Sequence, residues 1–500
     1  MTYTDRDARL KNKEMMEKYR PFQSIGRSLS PEFEKLSAEL LILIREHGIN
    51  KVKPEQGNKE QFKELASAVH EGWKLAQQKI IDEIILRLES VVTLESRKKE
   101  QHQNKQKDEK EQTIREINLA KREILVLRRF IDSIVWTMLK FEHSTIRRLP
   151  LKGGVDNLSI ASILQAKDVI DEMNTDGGTI AISSDITTFV HTGDILRLSL
   201  NDGFKFIELK SGKKNIEFSE AAQFSHEVKC PYFDEAFTKD FNDTDKKHYS
   251  RTKKQLERAK AIFETIETGK GIDQFYNAPL TIEETSLSPE FYSEAIVKCR
   301  EEITEDKPWS ITVVDSCLYI GVYSKAEMGF VGFNAWMDGM ECKSPIYNLT
   351  DSFQDALSRP LPSLDLPTKL LEEILNGSIT VVVCLDYKAF FNFANKLYPG
   401  LFFLSKPDEK ITKMVEDFRI DGQFITCNTN NGKMFLGGGL ITRMIFDLHR
   451  PKNIIEMQYR SSNLFDDSAI KQARKAAREK KKKKKTQSKI RKLSKKQNRR

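Results

Sequence analysis

Two long stretches with apolar residues spaced three and four apart limit most strongly what this chain can fold into. The first runs from Gln61 to Leu94 and the second from Thr113 to Phe141, and the spacing predicts two amphipathic helices. The segment between them is nearly all polar, so we expect a helical hairpin with a solvated or frayed turn. The apolar stripe of the second helix packs either on the first helix or on a dimer or partner protein. This stripe consists of Ile114, Ile117, Ile124, Leu127, Ile131, Ile134 and Met138.

A shorter helix is indicated before this hairpin. Ser30 is a suitable N-cap, Pro31 fits the first helical position, and Gly48 follows the last apolar residue. Residues 1–145 are therefore predicted to form a helical region.

The pattern changes in residues 146–278. A helix is predicted from Asn157 to Asn174, followed by the strand-like runs "TIAISSDITTFVHT", "DILRLSL" and "FKFIELKSG". The turn Asn201-Asp202-Gly203 favours an antiparallel hairpin of the last two runs. A long charged helix, Ser250 to Glu267, follows, so the expected order is helix, three strands, helix.

Residues 279–465 mix helix and strand signals, which favours an α+β region with its own core and no indicated role. The fold class of the whole chain is predicted as α+β or α/β. The strand candidates in this region are "SITVVDSCLYIGVYS", "GFVGFNAW", "SITVVVCLDY" and "GLITRMIFDLH".

The positive charge of the chain is concentrated at its C-terminus, in residues 466–500. Residues 471–500 contain 17 Lys and Arg and one Glu, a charge of +16. Of the 82 basic and 73 acidic residues, 65 and 72 remain in residues 1–470, a formal charge of −7. The tail cannot bury a core, so we expect it to be disordered and to bind a polyanion, nucleic acid first, unless it only solubilises the chain. The predicted contacts are Lys480, Lys481, Lys482, Lys483, Lys484 and Lys485 in the tail, with Lys213 and Lys214 in the body.

The remaining composition indicates the cellular setting. Six scattered cysteines form no CxxC pair, which argues against a zinc module or a disulfide framework. The charged N-terminus does not resemble a signal peptide, and no apolar run approaches the length of a membrane span. We therefore expect a protein of the cytoplasm, or of the nucleus in a eukaryotic cell.

Three charged residues lie where strands normally carry apolar ones. Asp194 begins the run "DILRLSL", while Glu208 and Lys210 lie two apart on the following run and hence on one face. Hairpin pairing brings Asp194 beside them. Two carboxylates at close range repel each other unless a cation is bound, and Mg²⁺ prefers oxygen ligands. Asp194, Glu208 and the Leu209 carbonyl would bind the metal, and Lys210 would orient water or stabilise a pentavalent phosphate.

This pattern resembles the PD-(D/E)xK nuclease superfamily, whose fold is restriction-endonuclease-like, over residues 157–267. The resemblance implies a Mg²⁺- or Mn²⁺-dependent nuclease, usually acting on DNA, with Asp194 and Glu208 as ligands and Lys210 as a catalytic residue. It also implies a carboxylate on the preceding helix, for which Glu172 and Asp185 compete, and in some members a glutamine on the following helix, matched by Gln255. The chain has Gly193 where the superfamily name has proline.

These observations lead to two hypotheses about function. The first is a metal-dependent endonuclease, acting most simply on DNA, in a restriction or defence setting that the family analogy alone suggests. Such an enzyme would use the helical arm to dimerise or bind a partner. The second is a non-enzymatic nucleic-acid-binding or scaffold protein with a degenerate nuclease fold and a basic tail.

Overall fold

The computed structural model describes a chain of mixed helices and small antiparallel sheets, consistent with the α+β class. Its residues divide into two compact units. Among the described residues, the larger unit extends to Asp386 and includes Ile441–Arg450, and the smaller contains those of Tyr387–Leu440 together with residues 451–462. Lys210 and the six tail lysines lie outside the described residues. The structure describes residues 15–23, 29–150, 158–201, 203–209, 213–228, 230, 232–273, 278–282, 287–406, 418–429 and 432–462.

The N-terminal helices confirm the sequence prediction. Helix α1 spans Pro31–Arg45, and the Ser30 hydroxyl accepts the amide hydrogen of Phe33 at 3.3 Å. Helices α2 (Lys59–Gln103) and α3 (Lys107–Met138) pack as a hairpin. Most of the polar segment between the two apolar stretches is helical, and only residues 104–106 separate α2 from α3. At Gly72 a Cβ would lie 2.4 Å from the Leu43 carbonyl oxygen, so only glycine allows α1 and α2 this approach.

The apolar stripe of α3 faces the interior of the larger unit. Ile117, Ile124, Leu127, Ile131, Ile134 and Met138 are buried, and only Ile114 is 36% exposed. Intramolecular packing, one of the two alternatives for this stripe, therefore accounts for six of its seven residues.

Buried charges on α3 connect the helix to two distant segments. Arg129 and Asp132 are fully buried and form an ion pair at 2.9 Å. The Asp132 carboxylate accepts hydrogen bonds from the Thr188 amide at 2.9 Å and the Thr188 hydroxyl at 2.5 Å. Arg129 also donates to the Ser358 carbonyl at 2.7 Å. Because buried charges require such partners, this network fixes both loops to the helix.

The central hairpin is present as expected. After the short helix α4 (His143–Ile146) come α5 (Ile160–Met173) and a three-stranded antiparallel sheet with the order β1-β2-β3. Ala166 and Ile170 of α5 pack on one face of the sheet, against Ala181 and Ile195. The first predicted run is a strand only as far as Ser183. The strands are β1 (Thr179–Ser183), β2 (Ile195–Ser199) and β3 (Gly203–Ile207).

Side chains cover the outer edge of β1. The Gln77 carboxamide of α2 donates to the Ala181 carbonyl at 2.9 Å and accepts from the Ser183 amide at 3.3 Å. The Asn174 side chain accepts from the Ala181 amide at 2.8 Å. The backbone groups of this edge strand are thereby hydrogen-bonded without another strand.

The helix that follows the sheet is not the long charged one. Helices α6 (Lys213–Val228) and α7 (Phe233–Phe237) precede α8 (Asp243–Thr268), which contains the predicted charged segment. Phe218 of α6 packs against Tyr249 of α8. A two-stranded antiparallel ribbon, β4 (Lys270–Asp273) and β5 (Ala278–Thr281), comes next.

The rest of the larger unit is built on a four-stranded antiparallel sheet with the order β6-β7-β9-β8. Asp315 and Ser316, both with positive φ, form the turn between β6 and β7, so "SITVVDSCLYIGVYS" is a hairpin rather than one strand. The strands are β6 (Trp309–Val314), β7 (Leu318–Tyr323), β8 (Ile346–Asn348) and β9 (Thr380–Leu385). The helices are α9 (Ser293–Glu301), α10 (Ala326–Gly339) and α11 (Thr368–Leu375).

The smaller unit has its own sheet, in which β12 pairs antiparallel with β10, β11 and β13. Phe390 and Phe418 pack together in its core. The strands are β10 (Phe402–Ser405), β11 (Arg419–Ile420), β12 (Gln423–Thr429) and β13 (Gly432–Phe435). The helices are α12 (Tyr387–Leu397), α13 (Gly438–Ile445), which continues into the larger unit from Ile441, and α14 (Pro451–Ser461).

Two strand predictions are wrong. "GFVGFNAW" lies in α10, where Gly329, Phe333 and Met337 face the core at helical spacing. "GLITRMIFDLH" forms α13 and the loop after it. In both segments helical packing overrides the strand propensity of the apolar residues. Among the described helices, none combines the length and the apolar character that crossing a membrane requires.

Candidate active site

Asp194 and Glu208 lie at the same end of the β2–β3 hairpin. The last register pair of the hairpin is Ile195 with Ile207, so Asp194 immediately precedes the pairing and Glu208 immediately follows it. Ile195, Ile207 and Leu209 pack towards α5. Because side chains alternate along a strand, Glu208 projects from the opposite face, where it is exposed.

Hydrogen bonds fix Asp194 at this position. Its carboxylate accepts the amide hydrogen of Leu209 at 2.6 Å. Its own amide donates to the Ile207 carbonyl at 2.9 Å, and its carbonyl accepts from the Ser184 amide at 2.9 Å. Asp194 is therefore bound to both neighbouring segments of the sheet, and its carboxylate is directed towards the Glu208-Leu209 segment.

The backbone explains why glycine replaces the proline of the motif name. Gly193 has φ +74°, and a Cβ built on it would lie 3.1 Å from the Cβ of Phe206. Proline fixes φ near −65° and cannot adopt this conformation. The backbone conformation that leads into β2 thus requires glycine rather than proline at position 193.

Among the described residues, neither Glu172 nor Asp185 forms a metal-binding group with Asp194 and Glu208. Glu172 is exposed in the last turn of α5, Asp185 is exposed in the loop after β1, and Gln255 is exposed on α8. Within the described residues, the only cluster of three His, Cys, Asp or Glu side chains with metal-binding spacing lies elsewhere. The choice between Glu172 and Asp185 therefore stays open.

Only some of the basic candidates lie within the described residues. Lys214 lies on α6 and forms an ion pair with Asp245 of α8 at 2.5 Å, while its side chain stays 56% exposed. Lys213 is the first residue of α6. Lys210 and Lys480–Lys485 lie outside the described residues, so their roles stay predictions.

Sequence reasoning missed a cluster formed by the partly buried His143 and the buried Asp447 and His449. Their donor atoms all lie within 4.8 Å of one another, and Nε2 of His143 lies 3.1 Å from the Asp447 carboxylate. The Arg359 amide donates to the same carboxylate at 2.6 Å. His143 is separated from Asp447 by 304 positions, so no local sequence pattern could reveal the cluster.

The electrostatics of this cluster disfavour a hard cation. Burial lowers the pKa of His449 to about 4, and the positive charges of Arg443 and Arg359 act in the same direction. Burial also lowers the pKa of His143, although Asp447 opposes the shift. Imidazole nitrogens suit a transition metal, whereas Mg²⁺ prefers oxygen, and the neighbouring arginines oppose any added cation. The cluster therefore serves best as a structural anchor for the buried Asp447.

Comparisons with known proteins do not identify a relative. No family model, no curated protein and no solved structure matches this chain. The restriction-endonuclease-like core is accordingly not confirmed, and what the structure establishes is an α+β chain with Asp194 and Glu208 at one end of a hairpin.

Proposed function

We propose that this protein is a metal-dependent nuclease that hydrolyses phosphodiester bonds, most simply in DNA. Asp194, Glu208 and Lys210 form its active site. The observation that carries the proposal is the position of the two carboxylates at one hairpin end, with the Asp194 carboxylate oriented by the Leu209 amide at 2.6 Å.

The donors at the hairpin end suit a hard divalent ion. Carboxylate and carbonyl oxygens are the ligands that Mg²⁺ and Mn²⁺ prefer, so Asp194, Glu208 and the Leu209 carbonyl would hold the ion. When bound, the ion supplies an activated water and neutralises charge on the phosphate. Glu208 is exposed, which leaves it accessible to a polymeric substrate.

The protein's own groups would then orient the Asp194 carboxylate and the attacking water and would stabilise the developing negative charge. The Leu209 amide holds the Asp194 carboxylate in one direction, and such hydrogen bonds typically raise the metal affinity of a ligand. Lys210 follows one residue later in the chain, and its ammonium would orient the attacking water or stabilise the developing negative charge.

Charge supports nucleic acid as the substrate. Residues 1–470 carry a formal charge of −7, which repels a polyanion at long range, whereas residues 471–500 carry +16. The tail would therefore supply most of the affinity. The preference for DNA and a role in restriction or defence rest on the family resemblance.

One observation favours the alternative, a non-enzymatic nucleic-acid-binding protein. Glu172, Asp185 and Gln255 are all exposed, and among the described residues neither Glu172 nor Asp185 completes a metal-binding group with Asp194 and Glu208. A hairpin that has lost its third acidic ligand would bind nucleic acid without cleaving it.

The test is incubation of the purified full-length chain with plasmid, single-stranded DNA and RNA in Mg²⁺, Mn²⁺ or EDTA. We expect metal-dependent cleavage that is lost in Asp194→Asn and Lys210→Ala, while Asp240→Asn, an exposed acid outside the site, cleaves normally. Comparison of Glu172→Gln with Asp185→Asn identifies the third acid. Cleavage by the Asp194→Asn, Lys210→Ala double variant would refute the site, and binding of all substrates without cleavage would favour the alternative.

The tail is tested separately by binding. Deletion of residues 471–500 should weaken affinity for a DNA duplex and flatten its dependence on salt, because each lost phosphate contact lowers the slope by about 0.9. Replacement of Lys480–Lys485 by glutamine should give an intermediate slope. Fluorescence anisotropy at stepped KCl concentrations measures both, and an unchanged slope would contradict the role of the tail.

A further inference from the structure

We propose that Cys342 and Cys384 form an oxidisable thiol pair that closes to a disulfide on reaction with a small-molecule disulfide. Their sulfur atoms lie 3.7 Å apart, in contact, although the two residues are 42 positions apart in the chain. Both belong to the larger unit, and the inference is independent of the proposed nuclease activity.

The two cysteines are held differently by the fold. Cys384 is fully buried on β9, where it pairs with Tyr319 of β7 and Ile346 of β8. Cys342 is only partly buried and follows α10, where its amide donates to the Met337 carbonyl at 2.9 Å. A disulfide requires a sulfur separation of about 2.05 Å. The contact must therefore shorten, and Cys342, which is partly buried and lies outside any helix or strand, is the member of the pair that would move.

The surroundings shift the pKa values of the two thiols in opposite directions. The hydrogen bond from Cys384 lowers the pKa of Cys342 to about 7, and a hydrogen bond at Ser344 acts in the same direction against burial and Asp386. The same pairing and burial raise the pKa of Cys384 far above its usual range. Cys342 is therefore the accessible nucleophile and Cys384 the resolving thiol.

The remaining cysteines lack this combination. Burial raises the pKa of Cys299, Cys317 and Cys427. Cys230 is partly buried. Among the described cysteines, only Cys342 couples a lowered pKa with a sulfur partner in contact, which makes the reaction selective for one pair.

The oxidation proceeds in two exchange steps. The Cys342 thiolate attacks one sulfur of the small disulfide, breaking its S–S bond, forming a mixed disulfide and releasing one small thiolate. Cys384 then attacks the Cys342 sulfur, the bond to the small molecule breaks, and the departing second small thiolate takes up the proton of Cys384. The protein loses two electrons and the small disulfide gains them, so no other oxidant is needed.

The product would tie the end of α10 to the centre of the sheet. The chain between the two cysteines contains β8 and α11 and returns to the core on β9. Closing this loop restricts the unfolded chain, so we expect the oxidised protein to unfold at a higher temperature than the reduced one.

The test uses the folded full-length chain at stepped ratios of reduced to oxidised glutathione. After alkylation and proteolysis, mass spectrometry should find a Cys342–Cys384 linked peptide with the loss of two hydrogens. Cys384→Ala should stop at a glutathione adduct on Cys342, and Cys342→Ser should lose the reaction. Cys230→Ser, a partly buried cysteine outside the pair, is the matched control and should react as the wild type does.

Two outcomes would overturn the inference. The first is the absence of the linked peptide at saturating oxidised glutathione while the protein remains folded. The second is oxidation spread equally over all six cysteines. Because the readout is a peptide mass and an unfolding temperature, neither outcome depends on whether the chain cleaves nucleic acid.

Discussion

Two groups of charged residues in the larger unit differ in what surrounds them. At the hairpin end Glu208 is exposed and Asp194 is partly buried, and the Asp194 carboxylate accepts a hydrogen bond from the Leu209 amide. On α3, by contrast, Arg129 and Asp132 are fully buried and bind each other and two loops. A buried charge cannot lose a protein partner without a large loss of stability, whereas an accessible carboxylate can still bind a ligand. The difference separates the residues that hold the fold from those that would carry out chemistry.

The largest expected effect on stability comes from Asp132→Ala. Removal of one partner leaves Arg129 charged and buried, so we expect a loss of about 3–5 kcal/mol in the free energy of unfolding. Asp194→Asn should change this free energy by less than about 1 kcal/mol, because its amide oxygen still accepts from Leu209. Urea unfolding measures both variants.

An exposed ion pair supplies the control for this comparison. Glu116 pairs with Arg97 across the helical hairpin, and both side chains are more than a third exposed. Glu116→Ala should cost no more than about 1 kcal/mol. Equal losses for Asp132→Ala and Glu116→Ala would contradict the distinction between buried and exposed charges.

Acid should destabilise the protein through its buried histidines. Burial lowers the pKa of both His70 and His449 from 6.5 to about 4. The unfolded chain then binds protons that the folded chain does not, so stability is complete above pH 6.5 and falls as the pH decreases towards 4. The loss is on the order of 2–3 kcal/mol for each histidine.

Glutamine substitution tests this pH dependence. The slope of the unfolding free energy between pH 6.5 and 4 should become smaller in His449→Gln and in His70→Gln. His102→Gln, at the exposed end of α2, should retain the wild-type slope. A wild-type slope in both buried variants would show that other groups cause the acid sensitivity.

A smaller effect is expected at Gly193. Alanine at φ +74° is strained by about 1–2 kcal/mol and would contact the Cβ of Phe206. Gly193→Pro should be worse, because proline cannot adopt a positive φ. Gly177→Ala is the control, since its Cβ would meet only Ser67 at 4.0 Å. Thermal unfolding ranks the three variants, and a neutral Gly193→Pro would refute the backbone explanation for the departure from the motif.

Local sequence signals predicted much of the larger unit. The Ser30 cap, the helical hairpin and the pairing of β2 with β3 each depend on neighbouring residues, and each is present. The failures arose where apolar residues fit either a helix or a strand. In α10, Gly329, Phe333 and Met337 recur at intervals of four, a helical signal that the glycines and aromatics obscured.

Contacts between distant residues could not be read from the sequence. His143 and Asp447 meet across 304 positions, and Arg129 reaches Ser358 across 229. The two adjacent arginines and Asp132 in the apolar run "LRRFIDSIVW" were a usable signal, since charges within a buried stripe must be paired. The part of the candidate site that could be predicted is the position of Asp194 and Glu208 at one end of the hairpin, because the turn determines the register of the two strands.

Gln77 gives α2 a second role beyond packing. Its carboxamide offers one donor and one acceptor to alternate residues of β1, as a peptide group of an adjacent strand would. A shift of β1 by one residue would turn these backbone groups away and leave the buried amide without partners. A single side chain of α2 thus favours one alignment of β1 over an alignment shifted by one residue. The same hydrogen bonds help to place the Ser184 amide, one residue further along, against the carbonyl of Asp194.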